Sequence, residues 1–172
     1  MKLKIIGLNL TLKPQAKPEL SVAEQGETRQ VKTEELQLSP NGKKMLSRGS
    51  AQAQEYRRLI RKNLTPDLLK GPYKKQWDEQ KPQSWGHCYV ASEAYYHLMG
   101  GKASGLEPCW VKHEGTTHHF LRDKKTGEIV DITCDQFKTP PDYAAGRRFG
   151  WLTGEIPSHR AAELIKRVKQ SR

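Results

Sequence analysis

The sequence predicts an α+β domain in which a helix that carries a cysteine packs on a small antiparallel sheet. A helical pattern of apolar residues begins at Cys88, in the stretch CYVASEAYYHLMGG. Three segments with the composition of strands follow it, CWVKH, THHFLRD and EIVDIT, and short turns such as KKTG join them. A helix followed by strands that are joined by short turns is typical of an α+β domain with an antiparallel sheet.

The first 50 residues are predicted to lie outside this domain. Between residues 2 and 12, isoleucine and leucine alternate with polar residues, as in a half-buried strand that docks on an existing sheet. Residues 13 to 50 are polar, contain three prolines and show no sustained period, which is typical of a mobile arm. We therefore expect an extended N-terminal strand and arm over residues 1–50, and the α+β domain over residues 51–172.

Two helices are predicted between the arm and the cysteine. In AQAQEYRRLIRKNL, Tyr56, Leu59 and Ile60 form one apolar face, and arginine and lysine surround it. In TPDLLKG, Thr65 is a candidate N-cap and Gly71 a candidate stop. The basic side chains of this stretch could lie on phosphates, but a solvated helix face is the interpretation that we favour.

The helix after Cys88 and the last helix both have an apolar stripe. Four residues from Ala91 to Leu98 stand at i, i+3, i+4 and i+7, which puts Cys88 in the first turn at the edge of the buried face. Gly100 and Gly101 are predicted to end this helix. At the C-terminus, Ser158 is predicted to cap a helix in PSHRAAELIKRVKQSR.

Composition and charge narrow the classes of function. Only 35% of the residues are hydrophobic and the mean hydropathy is -0.83, so part of the chain is expected not to pack. The chain has neither a run of about eighteen apolar residues nor the apolar segment of a signal peptide, so we expect no membrane insertion. Three cysteines are too few for a disulfide framework and favour a reduced, cytoplasmic setting.

The net charge of +11 favours anionic partners such as nucleic acid, an acidic protein or anionic lipid, although a basic protein without a polyanion partner is equally compatible.

Cys88 is the candidate nucleophile. A thiol is nucleophilic only as a thiolate, and the free backbone N–H groups and the dipole at a helix N-terminus favour that negative charge. A nearby imidazole favours it further, as a base or as an imidazolium partner. The alternative interpretation is a buried cysteine that packs as a small hydrophobe.

The candidate partners of Cys88 lie in THHFLRDKKTGEIVDIT. If the segments on either side of the KKTG turn form a hairpin, His118 and Asp131 come close together, and the carboxylate orients the ring as the third member of a triad does. His118 and His119 are adjacent, so they point to opposite faces of a strand, and only one of them is expected to face Cys88. Periodicity alone does not choose between the two histidines.

Four landmarks follow one another along the chain: WGHC, THHF, GEIVDIT and QF. In this order they resemble the transglutaminase-like branch of the papain-like cysteine superfamily, and more closely the YunG-type proteins of bacteria and phages. The resemblance covers about residues 83–155. It implies a papain-like/transglutaminase-like fold with Cys88 as the nucleophile, His118 as the base and Asp131 as the orienting acid. It favours His118 over His119 because the base stands two residues before an aromatic residue. The chain reads D-I-T where D-P-T is usual, so the aspartate is retained.

The resemblance also implies a function. The expected reaction is acyl transfer by a hydrolase, deamidase or transamidase, on a protein or a small molecule that carries an amide bond, and it requires no cofactor. Papain-like enzymes use a glutamine several residues before the cysteine as an oxyanion donor, and Gln83 stands near that position. The alternative interpretation of Gln83 is an exposed loop residue. The alternative function is a non-catalytic basic protein, for example one encoded by a phage, that binds nucleic acid or an acidic protein.

Four further residues are candidates for substrate binding. Trp85 precedes the cysteine closely and is a candidate for the wall of a substrate cleft or for the core. Arg147, Arg148 and Trp151 belong to an aromatic and basic segment, DQFKTPPDYAAGRRFGWLTGEIPS. Such a segment can pack as a loop, contact a carboxylate or phosphate of a substrate, or bind nucleic acid, and we favour these interpretations in that order.

A zinc site is a competing interpretation of several of these side chains. Its ligands would come from two cysteines and two histidines: Cys109, Cys134, His113 and either His118 or His119. These ligand types, and some of the spacings, are compatible with zinc. No C-x-x-C pair is present, so we favour ordinary strand packing for the two cysteines and expect no metal.

Overall fold

The computed structural model of the chain describes residues 49–172, which form an α+β structure with four helices and one four-stranded antiparallel sheet. The helices are α1 (Ala51–Lys62), α2 (Pro72–Gln76), α3 (Cys88–Leu98) and α4 (His159–Gln170). The strands are β1 (Leu106–His113), β2 (Thr116–Asp123), β3 (Ile129–Val130) and β4 (Arg147–Arg148), in the spatial order β3-β2-β1-β4. The strand predicted between residues 2 and 12, and the arm up to residue 48, lie outside the described residues.

Three of the predicted helices are confirmed. α1 and α4 begin after Ser50 and Ser158, and each of these hydroxyls accepts a hydrogen bond from the backbone N–H three residues later. α3 begins at Cys88 itself, and the chain leaves the helix at Gly100, which adopts the left-handed conformation with φ of 104°. Among residues 49–172, none of the helices combines the length and the apolar character that crossing a membrane requires.

The helix predicted in TPDLLKG is reduced to one 3₁₀ turn, Pro66–Leu68. Thr65 does not cap it, because its hydroxyl oxygen accepts a hydrogen bond from Arg167 while the hydroxyl donates to the Asp67 carboxylate. The chain does not continue as a helix through Gly71, which has φ of 50° and precedes Pro72. A residue before proline avoids the helical region, so a new helix, α2, starts at the proline.

The basic face of α1 is not solvated throughout, which corrects the interpretation that we favoured. Arg57 and Arg61 are both only 3% exposed. Arg61 donates two hydrogen bonds to the Asp135 carboxylate, at 2.6 and 2.7 Å, and one to the carbonyl oxygen of Ile132 at 2.8 Å. The guanidinium of Arg57 lies 5.4 Å from the ring centroid of Tyr95. These two arginines therefore fasten α1 to α3 and to the loop that follows β3.

The main core lies between the helices and one face of the sheet. Residues of three helices and two strands meet in it: Leu59, Ile60, Val90, Ala91, Tyr95, Leu121, Val130, Leu164 and Val168. A smaller cluster on the opposite face of the sheet contains Cys109, Val111 and Phe120. α3 therefore packs on the sheet, as the sequence predicts, with its first residue near the edge of β2.

Two hairpins build the sheet around β2. Glu114 and Gly115 join β1 to β2 with φ of 44° and 76°, as in the type I′ turn of a two-residue hairpin. The predicted hairpin across KKTG is confirmed, with Leu121 opposite Val130. β3 is shorter than the predicted segment EIVDIT and ends at Val130. Among the strands of residues 49–172, none therefore lies beside this edge of β2 before Leu121, and Asp131 is released from the sheet.

Candidate active site

Cys88 lies beside the edge of β2 that β3 leaves uncovered. Its Sγ is 4.0 Å from the carbonyl oxygen of Thr117, and Ser92, one turn later in α3, donates a 3.3 Å hydrogen bond to the carbonyl oxygen of His119. Carbonyls two residues apart on a strand point to the same edge, so the first turns of α3 run along this edge. Gly86 makes the preceding turn with φ of 74°, and a Cβ there would come within 3.0 Å of two neighbouring side chains.

His118 and Asp131 form the closest pair of ionisable side chains in the site. The distance from His118 Nε2 to Asp131 Oδ2 is 2.6 Å, and both side chains are fully buried. The carboxylate also accepts hydrogen bonds from Thr133 N at 3.0 Å and from the Tyr143 hydroxyl at 2.8 Å. The predicted proximity of this histidine and this aspartate is confirmed, and the buried carboxylate has the hydrogen-bond donors that it requires.

Both histidines of β2 contact Cys88, which corrects the expectation that only one of them would face it. His119 Nδ1 lies 3.8 Å from Sγ, and His118 interacts electrostatically with the thiol. The two rings do project to opposite faces: His118 stacks with Phe120, whereas His119 packs against Tyr89 of α3. Because the thiol lies beside the strand rather than above one of its faces, side chains from both faces reach it.

The two imidazoles lower the pKa of the Cys88 thiol by more than burial raises it. Burial raises the pKa of Cys88, but hydrogen bonds and charge attraction from His118 and His119 lower it from its ordinary 9.0 to about 6. Burial lowers the pKa of His118, but the charge of Asp131, its hydrogen bond and the interaction with Cys88 raise it to about 10. A thiolate beside an imidazolium is therefore the favoured state near neutral pH.

Gln136 and Phe137 complete the site; no role was predicted for Gln136, and Phe137 was predicted only as one ring of the aromatic and basic segment. Gln136 Nε2 lies 3.3 Å from His118 Nδ1, and Gln136 Oε1 accepts a 3.3 Å hydrogen bond from the backbone of Gly86. The ring of Phe137 stands edge-on to His118 with the centroids 4.8 Å apart. These residues were visible only as the landmark QF, because nothing in the local pattern indicates that this loop folds back onto the turn before Cys88.

A cleft of about 410 Å³ opens onto Cys88. Tyr73 and Trp85 form one aromatic wall, with their rings edge to face at 5.3 Å, and Phe137 belongs to the lining as well. Thr116 and Thr117 of β2 contribute polar groups. Of the residues predicted to bind substrate, Trp85 is the one that the structure brings to the cysteine.

Gln83 lies outside the lining of this cleft. Its side chain is exposed, and its amide donates a 3.0 Å hydrogen bond to the carbonyl oxygen of Leu64. The loop between α2 and α3 therefore holds this amide against the end of α1, away from the thiol. The oxyanion role that the resemblance implies for Gln83 stays a prediction without support from this geometry.

Arg147, Arg148 and Trp151 are not brought to Cys88 either. Both arginines are exposed on β4, and Arg148 pairs with the Glu107 carboxylate at 2.8 Å. Trp151 is only 8% exposed and belongs to the main core, where it packs against Tyr89. Arg148 and Trp151 line a separate cavity of about 400 Å³. Their predicted contact with substrate stays a prediction.

The residues of the competing zinc site pack separately. Cys109 is fully buried on the far face of the sheet, and Cys134 is buried in the loop after β3. Burial raises the pKa of both thiols, that of Cys134 to about 12. His113 forms a 2.9 Å hydrogen bond with the carbonyl oxygen of Thr139. Across residues 49–172, no three histidine, cysteine or acidic side chains are grouped so that they could hold a metal ion.

Comparisons of the chain with protein-family models, with curated proteins and with solved structures found no match. The contacts around Cys88, together with the chemistry of its partners, therefore carry the functional interpretation.

Proposed function

We propose that this chain is a papain-like cysteine hydrolase or acyltransferase that acts on an amide substrate, with Cys88, His118 and Asp131 as its catalytic triad. The observation that carries the proposal is the buried 2.6 Å hydrogen bond between Asp131 and His118, next to the Cys88 thiol with which His118 interacts electrostatically. Asp131 engages Nε2 of the imidazole, so Nδ1, which lies 3.3 Å from Gln136 Nε2, is the nitrogen that would exchange a proton at the sulfur. A thiol next to an imidazole that a third group orients is the arrangement of nucleophilic catalysis.

The first half-reaction transfers the acyl group to the enzyme. The Cys88 thiolate attacks the carbonyl carbon, a C–S bond forms, and the π electrons of the carbonyl move onto its oxygen. The N–H groups of the first turn of α3 have no acceptor within the helix, so they are suited to stabilise this oxyanion. The imidazolium of His118 then gives its proton to the amide nitrogen, the C–N bond breaks, and the amine leaves.

The second half-reaction releases the acyl group. Neutral His118 takes a proton from water or from an incoming amine, and the resulting nucleophile attacks the thioester carbon. The C–S bond breaks and the thiolate returns to Cys88, with the imidazolium of His118 beside it. Water gives hydrolysis or deamidation, whereas an amine gives transamidation. Asp131 keeps the ring oriented through both halves.

The cleft is consistent with an amide of peptide size. Its volume of about 410 Å³ is in the range of small-molecule and peptide sites. The aromatic side chains of Tyr73 and Trp85 offer a flat wall to an amide plane or an apolar side chain.

The proposal is tested by acyl-enzyme formation and turnover. We expect p-nitrophenyl acetate to acetylate Cys88, detected by intact mass and peptide mapping, and to be turned over. We expect Cys88→Ala to abolish both, and His118→Asn to slow turnover by about 100-fold or more. His97→Asn is the matched control, because His97 lies at the opposite end of α3. A set of short peptides that carry glutamine and C-terminal amides, with and without an added amine, then separates hydrolysis from transfer by mass spectrometry.

Two results would overturn the proposal. One is turnover of the ester by the Cys88→Ala variant at the rate of the unmodified protein. The other is a Cys88 that forms no thioester in a protein that binds DNA with a steep dependence on salt, since this combination is the signature of a basic binding protein.

A further inference from the structure

We propose that the thiolate of Cys88 is held between two imidazoles, and that His119 is a second catalytic histidine that contacts the reacting sulfur. The contact that points to this role is the 3.8 Å distance from His119 Nδ1 to Sγ. The inference goes beyond acyl transfer, because it concerns how the thiolate is stabilised before any substrate binds.

The backbone of His119 is fixed by the helix that carries the thiol. Ser92 donates its 3.3 Å hydrogen bond to the carbonyl oxygen of His119, and Ser92 lies one helical turn after Cys88. The carbonyl of Thr117, two residues earlier on the same strand edge, lies 4.0 Å from Sγ. The sulfur and the histidine backbone are therefore held together by contacts of a single helix with a single strand edge.

Aromatic contacts hold the ring of His119. Tyr89, which follows Cys88 in α3, meets the imidazole edge to face with the ring centroids 5.1 Å apart. Phe149 meets it at 5.2 Å with an interplanar angle of 68°. With these two neighbours in place, the imidazole is held with Nδ1 toward the sulfur.

The two histidines differ in their other partners. His118 is bonded to the Asp131 carboxylate, whereas the ring of His119 has no carboxylate in hydrogen-bond contact within the described part of the chain. The other titratable groups near the pair are the phenols of Tyr89 and Tyr143 and the thiol of Cys134, and Tyr73 and Glu114 line the cleft beside Cys88. Stabilisation of the thiolate therefore depends on the two imidazoles, one bonded to a carboxylate and the other packed between aromatic rings.

The experiment measures the pKa of the Cys88 thiol without substrate, from the pH dependence of iodoacetamide alkylation and from the ultraviolet absorbance of the thiolate. His119→Phe keeps an aromatic ring between Tyr89 and Phe149 but removes the nitrogen. We expect this variant to raise the pH of half-maximal alkylation by about one unit, which is a tenfold loss of thiolate at pH values well below the original midpoint. We expect His118→Asn to raise it as well, and the double variant to raise it further than either single variant.

The experiment has one control variant and one result that would overturn the inference. His159→Asn changes an exposed histidine at the start of α4 and is expected to leave the thiol pKa unchanged. An unchanged thiol pKa in His119→Phe overturns the inference, because the ring would then act by packing alone. If that variant does not fold, His119→Asn decides in the same way, since it removes the imidazole ring and leaves a small polar group. A raised thiol pKa in a protein that turns over no ester or amide supports the two-imidazole site and overturns only the proposed acyl transfer.

Discussion

The Tyr143 hydroxyl donates a 2.8 Å hydrogen bond to Asp131 Oδ2, the same oxygen that accepts the hydrogen bond from His118 Nε2. Burial and the neighbouring carboxylate raise the pKa of Tyr143, so its hydroxyl remains a donor across the neutral range. Tyr143 thus connects the loop before β4 to the carboxylate that orients the imidazole.

We expect Tyr143→Phe to lower the free energy of unfolding by about 1–2 kcal/mol, because a buried carboxylate loses one of its donors. The hydrogen bond from His118 to Asp131 remains, so the pKa of the Cys88 thiol is not expected to rise. Urea denaturation and the pH dependence of alkylation measure the two effects. A raised thiol pKa with unchanged stability would show that Tyr143 acts on the imidazole rather than on the fold.

Limiting iodoacetamide is expected to modify Cys88 and to spare Cys109 and Cys134 in the native protein. The pKa of Cys88 is lowered to about 6, whereas burial raises that of the other two thiols. The alkylation rate of Cys88 should therefore rise with pH and reach half of its maximum near pH 6. Peptide mapping by mass spectrometry measures the modified fraction at each cysteine. Labelling of all three cysteines at equal rates would contradict an activated Cys88.

We expect the contribution of Cys88 and His118 to the free energy of unfolding to form a plateau over a range of pH. On folding, the pKa of Cys88 falls from 9.0 to about 6 and that of His118 rises from 6.5 to about 10. Between pH 6.5 and 9, the unfolded pair binds one proton, on cysteine, and the folded pair also binds one proton, on histidine. The contribution of the pair to the free energy of unfolding is therefore independent of pH in this range. Above pH 9 the contribution falls as pH rises through about 10, because the folded histidine retains a proton that the unfolded pair has lost. Below pH 6.5 the contribution of the pair falls as pH falls through about 6. The reason is that the unfolded pair binds its second proton, on histidine, at a higher pH than the folded pair binds its second proton, on cysteine.

Urea denaturation over this pH range, on the unmodified protein and on Cys88→Ala, measures the plateau. In the alanine variant His118 titrates alone, so its contribution is complete below pH 6.5 and declines as pH rises. The difference in unfolding free energy between the two proteins should therefore grow from pH 6 to pH 9. Parallel stability curves would contradict an ionised thiol in the folded protein.

Breaking the buried ion pair of Arg61 and Asp135 is expected to be costly. Arg61→Met leaves the Asp135 charge, only 7% exposed, without its partner, and such a loss costs about 3–5 kcal/mol of unfolding free energy. Arg58→Met is the matched control, because Arg58 and Glu55 form a partly exposed pair worth about 1 kcal/mol or less. Chemical denaturation measures both variants.

A second variant separates charge from packing at the same position. Arg61→Met combined with Asp135→Leu removes both charges and should recover much of the lost stability. Equal losses for Arg61→Met and Arg58→Met would show that the buried pair does not hold the loop of Asp131. The same loop carries Gln136, so the thiol pKa of Cys88 is a useful second measurement.

The elements that depend on local chemistry follow from patterns in the sequence. The apolar stripes of α1, α3 and α4 repeat within a few residues, and the predicted cap Ser158 stands next to the helix that it begins. The hairpin of β2 and β3 brought His118 near Asp131 because a short turn fixes which residues of its two arms lie close together. All of these inferences needed only short-range periodicity and turn chemistry.

The features that depend on residues far apart in the chain are not visible in sequence patterns. Arg61 appeared to belong to a solvated face, because its partner Asp135 is 74 positions away. Gln136 had no assigned role, since its contact with Gly86 joins two loops 50 positions apart. The expectation that only one histidine faces the thiol assumed that Cys88 lies above a face of the sheet.

The sequence by itself determined which groups of this protein can ionise, where the three longer helices and the hairpin of β2 and β3 lie, and that a histidine and an aspartate meet across that hairpin. Only the tertiary structure decided where the sulfur of Cys88 lies, and hence that both imidazoles reach it. The physical reason is that strand periodicity assigns a side chain to a face, whereas a third element is placed by packing. Here β3 ends early, α3 fills the uncovered edge of β2, and a thiol beside that edge is within reach of both faces.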